Sequence, residues 1–386
     1  MAAYELGRAP RIIVGIDALT SLFSVVQRLT SSGAVLVVDE AMVTTGYAAR
    51  VATTLDALPV VQHVIAAGEP SIDSVDAAAS VVRDAPGAVV IGIGGGSALD
   101  TAKQAAVVAA GDPGIEPYLL SANAFHGRRP IVAIPTTSGT GAEVTRTCIV
   151  SDASGRKLWT WGDEMLPDVV LLDPTSTVTM PVRVTSATGL DAFVHALEAC
   201  SSQRRNALSA APAIQAMRLV TEHLPRAVVD GGDLAARQGM QEAALLAGTA
   251  IDGCGTGVAH AIGHALGSLY HLPHGVAVAI GLDAAIEWNV IGAAEAYADA
   301  SIALYASASD IPLVLRDLFD ATRFASVVAG LADHALDAAA IAETMVAIEN
   351  QPMLNNNCRV PTHGERRMLA ELTVESWKRL RGEASV

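Results

Sequence analysis

The sequence predicts two domains in series, an α/β domain over residues 1–180 and an all-α domain over residues 181–386. Three observations carry this. Short, wholly apolar runs alternate with helical patterns through the first half, as in a parallel sheet covered on both faces. After Asp173-Pro174 strand-like runs nearly vanish and alanine-rich helical patterns follow, punctuated by Pro212, Pro225, Pro273 and Pro312. A chain of 386 residues also exceeds one ordinary core.

In order, the first domain reads as a strand over 11–15 and a helix over 17–29. A fully apolar strand over 34–39 ends in Asp39. A helix over 51–58, a strand over 62–67 and a helix over 71–83, capped by Ser71, come next. The run AVVIGI (88–93) is a buried-type strand leading into a helix over 98–110. Residues 130–134 form the next strand, 152–155 turn a hairpin, and 169–172 add a last strand.

The totals exclude several classes. Net charge is −15 with no basic stripe, so nucleic acid is not an expected partner. Cys148, Cys200, Cys254 and Cys358 are far apart, which argues against a disulfide framework or a structural zinc knot. Mean hydropathy is high at +0.39. Alanine and valine drive it, and no uninterrupted apolar run approaches the ~20 residues of a membrane span. The N-terminus lacks the layout of a signal peptide, so the expected location is cytoplasmic.

Chemistry gathers at four stretches. The strand 88–93 runs into Gly94-Gly95-Gly96-Ser97 and a helix containing Asp100 and Lys103. Consecutive glycines admit a ligand close to the backbone, and the first amides of a helix favour an anion, which together make a diphosphate cradle. Neither a P-loop nor GxGxxG is present, because Ser97 holds the third glycine position. The run PTTSGTGAE (135–143) leaves the next strand in the same way, and Thr136, Thr137, Ser138 and Thr140 offer hydroxyls to the sugar and amide ends of a nucleotide. Two such loops after neighbouring strands make the first domain a dinucleotide-binding domain. Two readings fit Asp39. It is an ordinary strand-end turn residue, or it meets an adenosine ribose and favours NAD over NADP by repelling a 2′-phosphate.

The other two stretches are helical. Residues 257–275 hold His260, His264, His271 and His274 with no charged residue among them. A cluster this dense points to a transition metal. His260 and His264 share a helical face, and Leu272-Pro273 suggests a reversal that returns His274 toward them. In TGLDAFVHALEAC (188–200), Asp191 and His195 are again four apart. With His260 and His274 they make one carboxylate and three imidazoles, a set that accepts Fe²⁺ or Zn²⁺ with room for a substrate oxygen.

Four motifs, GGGSALDTAK (94–103), PTTSGTGAEVT (135–145), GLDAFVHALEA (189–199) and HAIGHALGSLYHLPHG (260–275), closely resemble the iron-containing (group III) alcohol dehydrogenases, in that family's order and over nearly the whole chain. ENQPMLNNNCRVPT (349–362) resembles the family's late Asn-Pro-Arg segment, with Cys358 where proline is usual. The resemblance implies the dehydroquinate synthase-like fold of that family, with a metal in the cleft between a dinucleotide-binding and a helical domain. Carried over residue by residue, it implies metal ligands at Asp191, His195, His260 and His274, and His264 near the nicotinamide as a proton relay. It places Gly95, Gly96, Ser97 and Asp100 in the diphosphate motif, Thr136, Thr137 and Ser138 in the second loop, and Asp39 at the acid linked to NAD preference. His271 has no counterpart and reads as a loop residue.

The implied reaction is reversible hydride transfer between a small primary alcohol or aldehyde and NAD, in a homodimer or larger homo-oligomer. Two rivals remain. A lyase resembling dehydroquinate synthase must hold phosphate and carboxylate, yet 189–200 and 251–285 contain no lysine or arginine. The other is a nicotinoprotein, or a metal- and NAD-binding module without free cofactor turnover.

Overall fold

The computed structural model describes residues 7–30, 32–111 and 113–383. The first six residues, part of the N-terminal reading above, lie outside them. The chain divides into two compact units, Gly7–Met180 and a second from Pro181 onward.

The first unit is built on a six-stranded, all-parallel sheet. Its elements are β1 (Arg11–Val14), α1 (Leu22–Leu29), β2 (Ala34–Asp39), α2 (Glu40–Thr44), α3 (Tyr47–Thr53), β3 (Val60–Ile65), α4 (Ile72–Asp84), β4 (Val89–Gly94), α5 (Gly96–Val108) and β5 (Ile131–Pro135), then β6 (Thr147–Ser151), β7 (Lys157–Trp161) and β8 (Val169–Leu172). Strand order is β1-β8-β5-β4-β2-β3, with β6 and β7 forming a separate antiparallel hairpin. The apolar runs are continuous because both faces are covered. Leu36 and Val38 pack with α1 and α3, whereas Val35 and Val37 pack with α4 and α5.

The order of strand addition reverses between β2 and β4: β3 lies outside β2 on one side, and β4, β5 and β8 follow on the other. Ligands of open parallel sheets bind at the carboxyl ends of strands beside such a switch point. In register, Val38 pairs with Ile93, and Gly94 with Pro135. The ends of β2, β4 and β5 therefore bring Asp39, Gly94 and Pro135 to one edge.

Two expected helices differ. The pattern over 17–29 divides into a 3₁₀ turn at Ala18–Ser21 and α1, and Asp17 ahead of them stands outside the helix with a left-handed φ of 63°. In place of a helix over 51–58, α2 and α3 meet at Gly46 (φ 78°), and α3 stops at Thr53. The chain then turns through Leu58 N–H to Leu55 O ahead of Pro59, which disfavours helix in the residue before it.

Among its described residues the second unit has helices and connecting loops but no strand. Five long helices, α6 (Val182–Ser201), α7 (Ala207–Val229), α8 (Leu234–Cys254), α9 (Val258–Tyr270) and α10 (His274–Ala293), form its centre. Shorter helices α11 (Ala298–Leu304), α12 (Ile311–Ala321), α13 (Phe324–Ala329), α14 (Ala338–Thr344) and α15 (Gln351–Asn356) precede α16 (His363–Leu380). Pro212 and Pro225 do not interrupt α7, which runs through both; burial of Ala213, Ala216, Met217, Val220 and Leu224 holds it together. The stretch His274–Leu304 is long and apolar enough to cross a membrane by composition, at a mean hydropathy of 1.5, but 67% of that window is buried within the fold. A helix apolar on all sides is what a core requires.

Candidate metal centre and nucleotide loops

In α6, Asp191, His195 and Glu198 follow at spacings of four and three, so one helical face carries all three. In α9, His260 and His264 lie one turn apart. His271 closes that helix in a left-handed conformation (φ 53°), exposed, and Pro273 precedes His274 at the first position of α10. The expected reversal thus brings His274 back. A Cβ on Gly275 would sit 2.3 Å from the carbonyl oxygen of Ala187, so only glycine lets α10 begin this close to α6.

One ligand atom from each of Asp191, His195, His260 and His274 lies within 4.8 Å of the others. Asp191 Oδ1 is 3.7 Å from His195 Nε2, 3.9 Å from His260 Nε2 and 3.7 Å from His274 Nε2. These separations exceed hydrogen-bond range. An ion ~2.1 Å from tetrahedral ligands spaces them by roughly 3.4 Å, and Asp191 Oδ1 already lies near that spacing from each of the three imidazole nitrogens. The His195 and His260 rings stack with centroids 4.6 Å apart. Asp191, His195 and His260 are buried, while a quarter of the His274 side chain is exposed.

Protonation at His260 is set by a neighbour. Its Nδ1–H donates to Glu198 Oε2 at 2.6 Å, leaving Nε2 with its lone pair toward the cluster, buried and without a hydrogen-bond partner. Burial pulls the His260 pKa down, but the charge and hydrogen bond of Glu198, with Asp191 behind them, leave it raised. The site therefore favours a positive charge. The residues fit a divalent iron or zinc ion, whose ligands are imidazole nitrogen and carboxylate oxygen. His264 lies apart from these four: its ring centroid is 5.8 Å from that of His274, and its Nδ1 pairs with Asn350 Oδ1 at 3.2 Å. Asn350 Nδ2 donates to Thr344 O, which orients the amide so that Oδ1 accepts and the lone pair of His264 is on Nε2.

In the first unit, α5 starts at Gly96, two residues ahead of the expected helix, so Gly96 and Ser97 lie in its first turn. Gly94 has φ 155°, and a Cβ there would meet Ala98 Cβ at 2.5 Å and Asp39 Cβ at 2.8 Å. A Cβ on Gly95 or Gly96 would press on Thr137 or Thr140, so the two loops pack against one another. Thr136 N–H donates to Gly94 O, and Ser138 Oγ is buried without a hydrogen-bond partner. Asp39 caps α2, accepting from Ala41 N–H with one oxygen.

Asp100 departs from its expected place among the diphosphate contacts. Its carboxylate points inward, accepting from Ile149 N–H at 2.9 Å and facing Lys103 Nζ at 3.4 Å. Lys103 in turn donates to Ala142 O and Thr145 O. A buried carboxylate needs such partners, and a diphosphate would repel it. Asp100 and Lys103 together brace the second loop from beneath.

Sequence reasoning missed four supporting residues. Glu198 also accepts from Gly257 N–H and Ala259 N–H. Asn356 Nδ2 holds Cys254 O and Thr256 O, Asn357 Oδ1 accepts from Val258 N–H, and Asn350 orients His264. Glu198 left a signal in its position three residues after His195 on the same helix, and the three asparagines lie in the stretch 349–362, whose resemblance gave them no role.

Residues 9–174 match the iron-containing alcohol dehydrogenase family, and residues 185–365 match the C-terminal part of the Fe-containing alcohol dehydrogenase family. The probable alcohol dehydrogenase EutG of Escherichia coli K12 is 38% identical over 63% of this chain, an alignment spanning only 62% of that relative. The NAD-dependent methanol dehydrogenase of Bacillus methanolicus is 32% identical over 75% of this chain and 77% of its own length. Among solved structures, the alcohol dehydrogenase of Oenococcus oeni superposes with a TM-score of 0.87 at 26% identity, covering 97% of this chain and 100% of that one. With both family matches in sequence order and the four-ligand cluster in the helical unit, this chain belongs to the iron-containing alcohol dehydrogenase family and is an oxidoreductase acting on CH–OH groups.

Proposed function

We propose that the protein transfers hydride reversibly between a small primary alcohol and NAD, with Fe²⁺ held by Asp191, His195, His260 and His274. The observation that carries this is the cluster of three imidazoles and one carboxylate from three helices, with the lone pair of His260 Nε2 buried inside it. A divalent ion there supplies Lewis acidity toward the substrate oxygen, and NAD supplies the hydride acceptor. Fe²⁺ and Zn²⁺ both suit the donor set, and supply selects between them.

The chain's own residues do the rest. Asp191 contributes the one negative charge among the ligands, and burial shields it, His195 and His260 from competing water. Nε2 of His264 is the proton acceptor and relay, with Nδ1–H anchored on Asn350. Gly94 and Gly95 keep the approach free of side chains, Gly96 and Ser97 present first-turn amides of α5 to the diphosphate, and Thr136, Thr137 and Ser138 offer hydroxyls. The second oxygen of Asp39 suits the ribose hydroxyls and disfavours a 2′-phosphate. The lack of lysine and arginine in 189–200 and 251–285 suits a short uncharged alcohol over a polyanion.

Assembly as a homodimer or larger homo-oligomer belongs to the same reading. The supporting feature is the edge strand β1, whose Ile12 and Val14 are 38% and 42% exposed. Light scattering across a dilution series tests it. For the reaction, anaerobically purified protein is analysed for metal, reconstituted with Fe²⁺ or Zn²⁺, and mixed with NAD⁺ and ethanol, butanol or 1,2-propanediol. NADH absorbance should rise and depend on the metal. Confirmed metal with no signal from any alcohol or aldehyde would instead favour a cofactor-binding module.

A further inference from the structure

Glu198 stands outside the ligand set, yet one carboxylate grips both a ligand and the helix that carries it. Oε2 accepts from His260 Nδ1–H at 2.6 Å and from Gly257 N–H at 2.8 Å, and Oε1 accepts from Ala259 N–H at 2.8 Å. Gly257 is the residue before α9, and Ala259 lies in its first turn, where amides lack partners within the helix. Glu198 itself belongs to α6, the helix of Asp191 and His195. Three of the four clustered donors are thereby registered to one another through a single side chain.

The hydrogen-bond pattern has a chemical consequence. A neutral imidazole carries its proton on either nitrogen, and only the Nδ1–H form presents an Nε2 lone pair. In a buried site no water is at hand to accommodate both forms, so the group facing Nδ1 selects the tautomer. A carboxylate is acceptor-only, and it faces a row of three donors.

We propose that Glu198 is the positioning residue that makes His260 a metal ligand, holding it in the Nδ1–H tautomer and fixing α9 against α6. The inference rests on the metal-centre reading and goes beyond it, because it assigns ion affinity to a residue that does not touch the ion. The competing role is that of a mere cap for α9. Asn357 separates the two: its Oδ1 also accepts an N-terminal amide of α9, from Val258 at 3.2 Å, and it has no bond to the ring.

Glu198→Gln is nearly isosteric but can no longer satisfy all three donors. Whichever way the amide turns, its NH₂ meets an N–H, either at Ala259 or at Gly257 and His260 Nδ1. The experiment titrates metal-free protein with Co²⁺ by visible absorption and compares wild type, Glu198→Gln and Asn357→Ala, with the melting temperature of each metal-free protein recorded. Glu198→Gln should bind Co²⁺ about 10–100-fold more weakly. Asn357→Ala should lose melting temperature yet bind within about threefold of wild type. Wild-type affinity in Glu198→Gln, or equal losses in both variants, overturns the proposal. Failure of the wild type itself to bind Co²⁺ removes the metal centre first and this inference with it. Should Glu198→Gln not fold, nitrogen NMR of labelled histidine in zinc-loaded wild type decides the matter: Nδ1–H at His260 supports the assignment, and Nε2–H sinks it.

Discussion

The nucleotide loops and the metal cluster solve opposite problems. At the ends of β4 and β5 the chain removes side chains, so that backbone amides and small hydroxyls form the surface, and Asp100 and Lys103 are turned inward as struts. Between α6, α9 and α10 it does the reverse, gathering one carboxylate and three imidazoles and setting the Glu198 carboxylate against Nδ1 of His260. The first site tolerates little added bulk, and the second tolerates no lost donor. A ligand bound by backbone is lost through strain; an ion bound by side chains is lost through charge and geometry.

That contrast can be broken most sharply at His260. His260→Ala should abolish bound metal, read by elemental analysis, and turnover with it, while NADH binding measured by fluorescence persists; full occupancy with normal activity overturns the ligand set. His264→Ala should retain its metal and lose roughly 10²-fold in kcat, most strongly at the acid end of a profile from about pH 6 to about pH 9. Turnover unchanged across that range rules out the proton relay.

At the end of the second nucleotide loop, burial raises Glu143 from 4.5 to about 7, only partly opposed by a backbone hydrogen bond and Lys103. The folded state therefore holds this proton more tightly than the unfolded chain. Its contribution is complete below about pH 4.5 and is lost as pH rises through about 7, a difference of roughly 3 kcal/mol at ~1.4 kcal/mol per pH unit. Glu143→Gln should remove that loss, gaining stability over wild type at pH ~8 but little at pH ~5, by denaturant titration. Equal effects at both values would mean that Glu143 is ionised throughout. The smallest effect is expected at Gly94→Ala, where strain of about 1–3 kcal/mol should weaken NADH binding and leave metal content untouched. Loss of metal in that variant would dissolve the distinction between the two sites.

Much of this was legible because both sites announce themselves locally. Three glycines after an apolar strand, and imidazoles four apart on a helix, need no tertiary information to suggest a phosphate cradle and a metal. What escaped lies at long range. Glu198 meets His260 across 62 residues, Asn350 meets His264 across 86, and Asn357 meets Val258 across 99. No periodicity encodes such pairs. Asp100 shows the same limit from the other side: its motif was readable, but not the direction of its carboxylate. The prolines of α7 were misleading because packing in the helical unit outweighs the backbone bonds they remove.

By itself, then, the sequence determined the two-domain order, the parallel sheet and the residue types at each site, which follow from local pattern and spacing, and its motifs carried the resemblance to the family. Only the tertiary structure decided that Asp39, Gly94 and Pro135 share one sheet edge, that His274 joins the cluster while His264 stays apart, and that Glu198 meets Nδ1 of His260. The physical reason is that side-chain chemistry is inherited from the chain, whereas protonation, orientation and coordination depend on neighbours that only folding brings within hydrogen-bond reach.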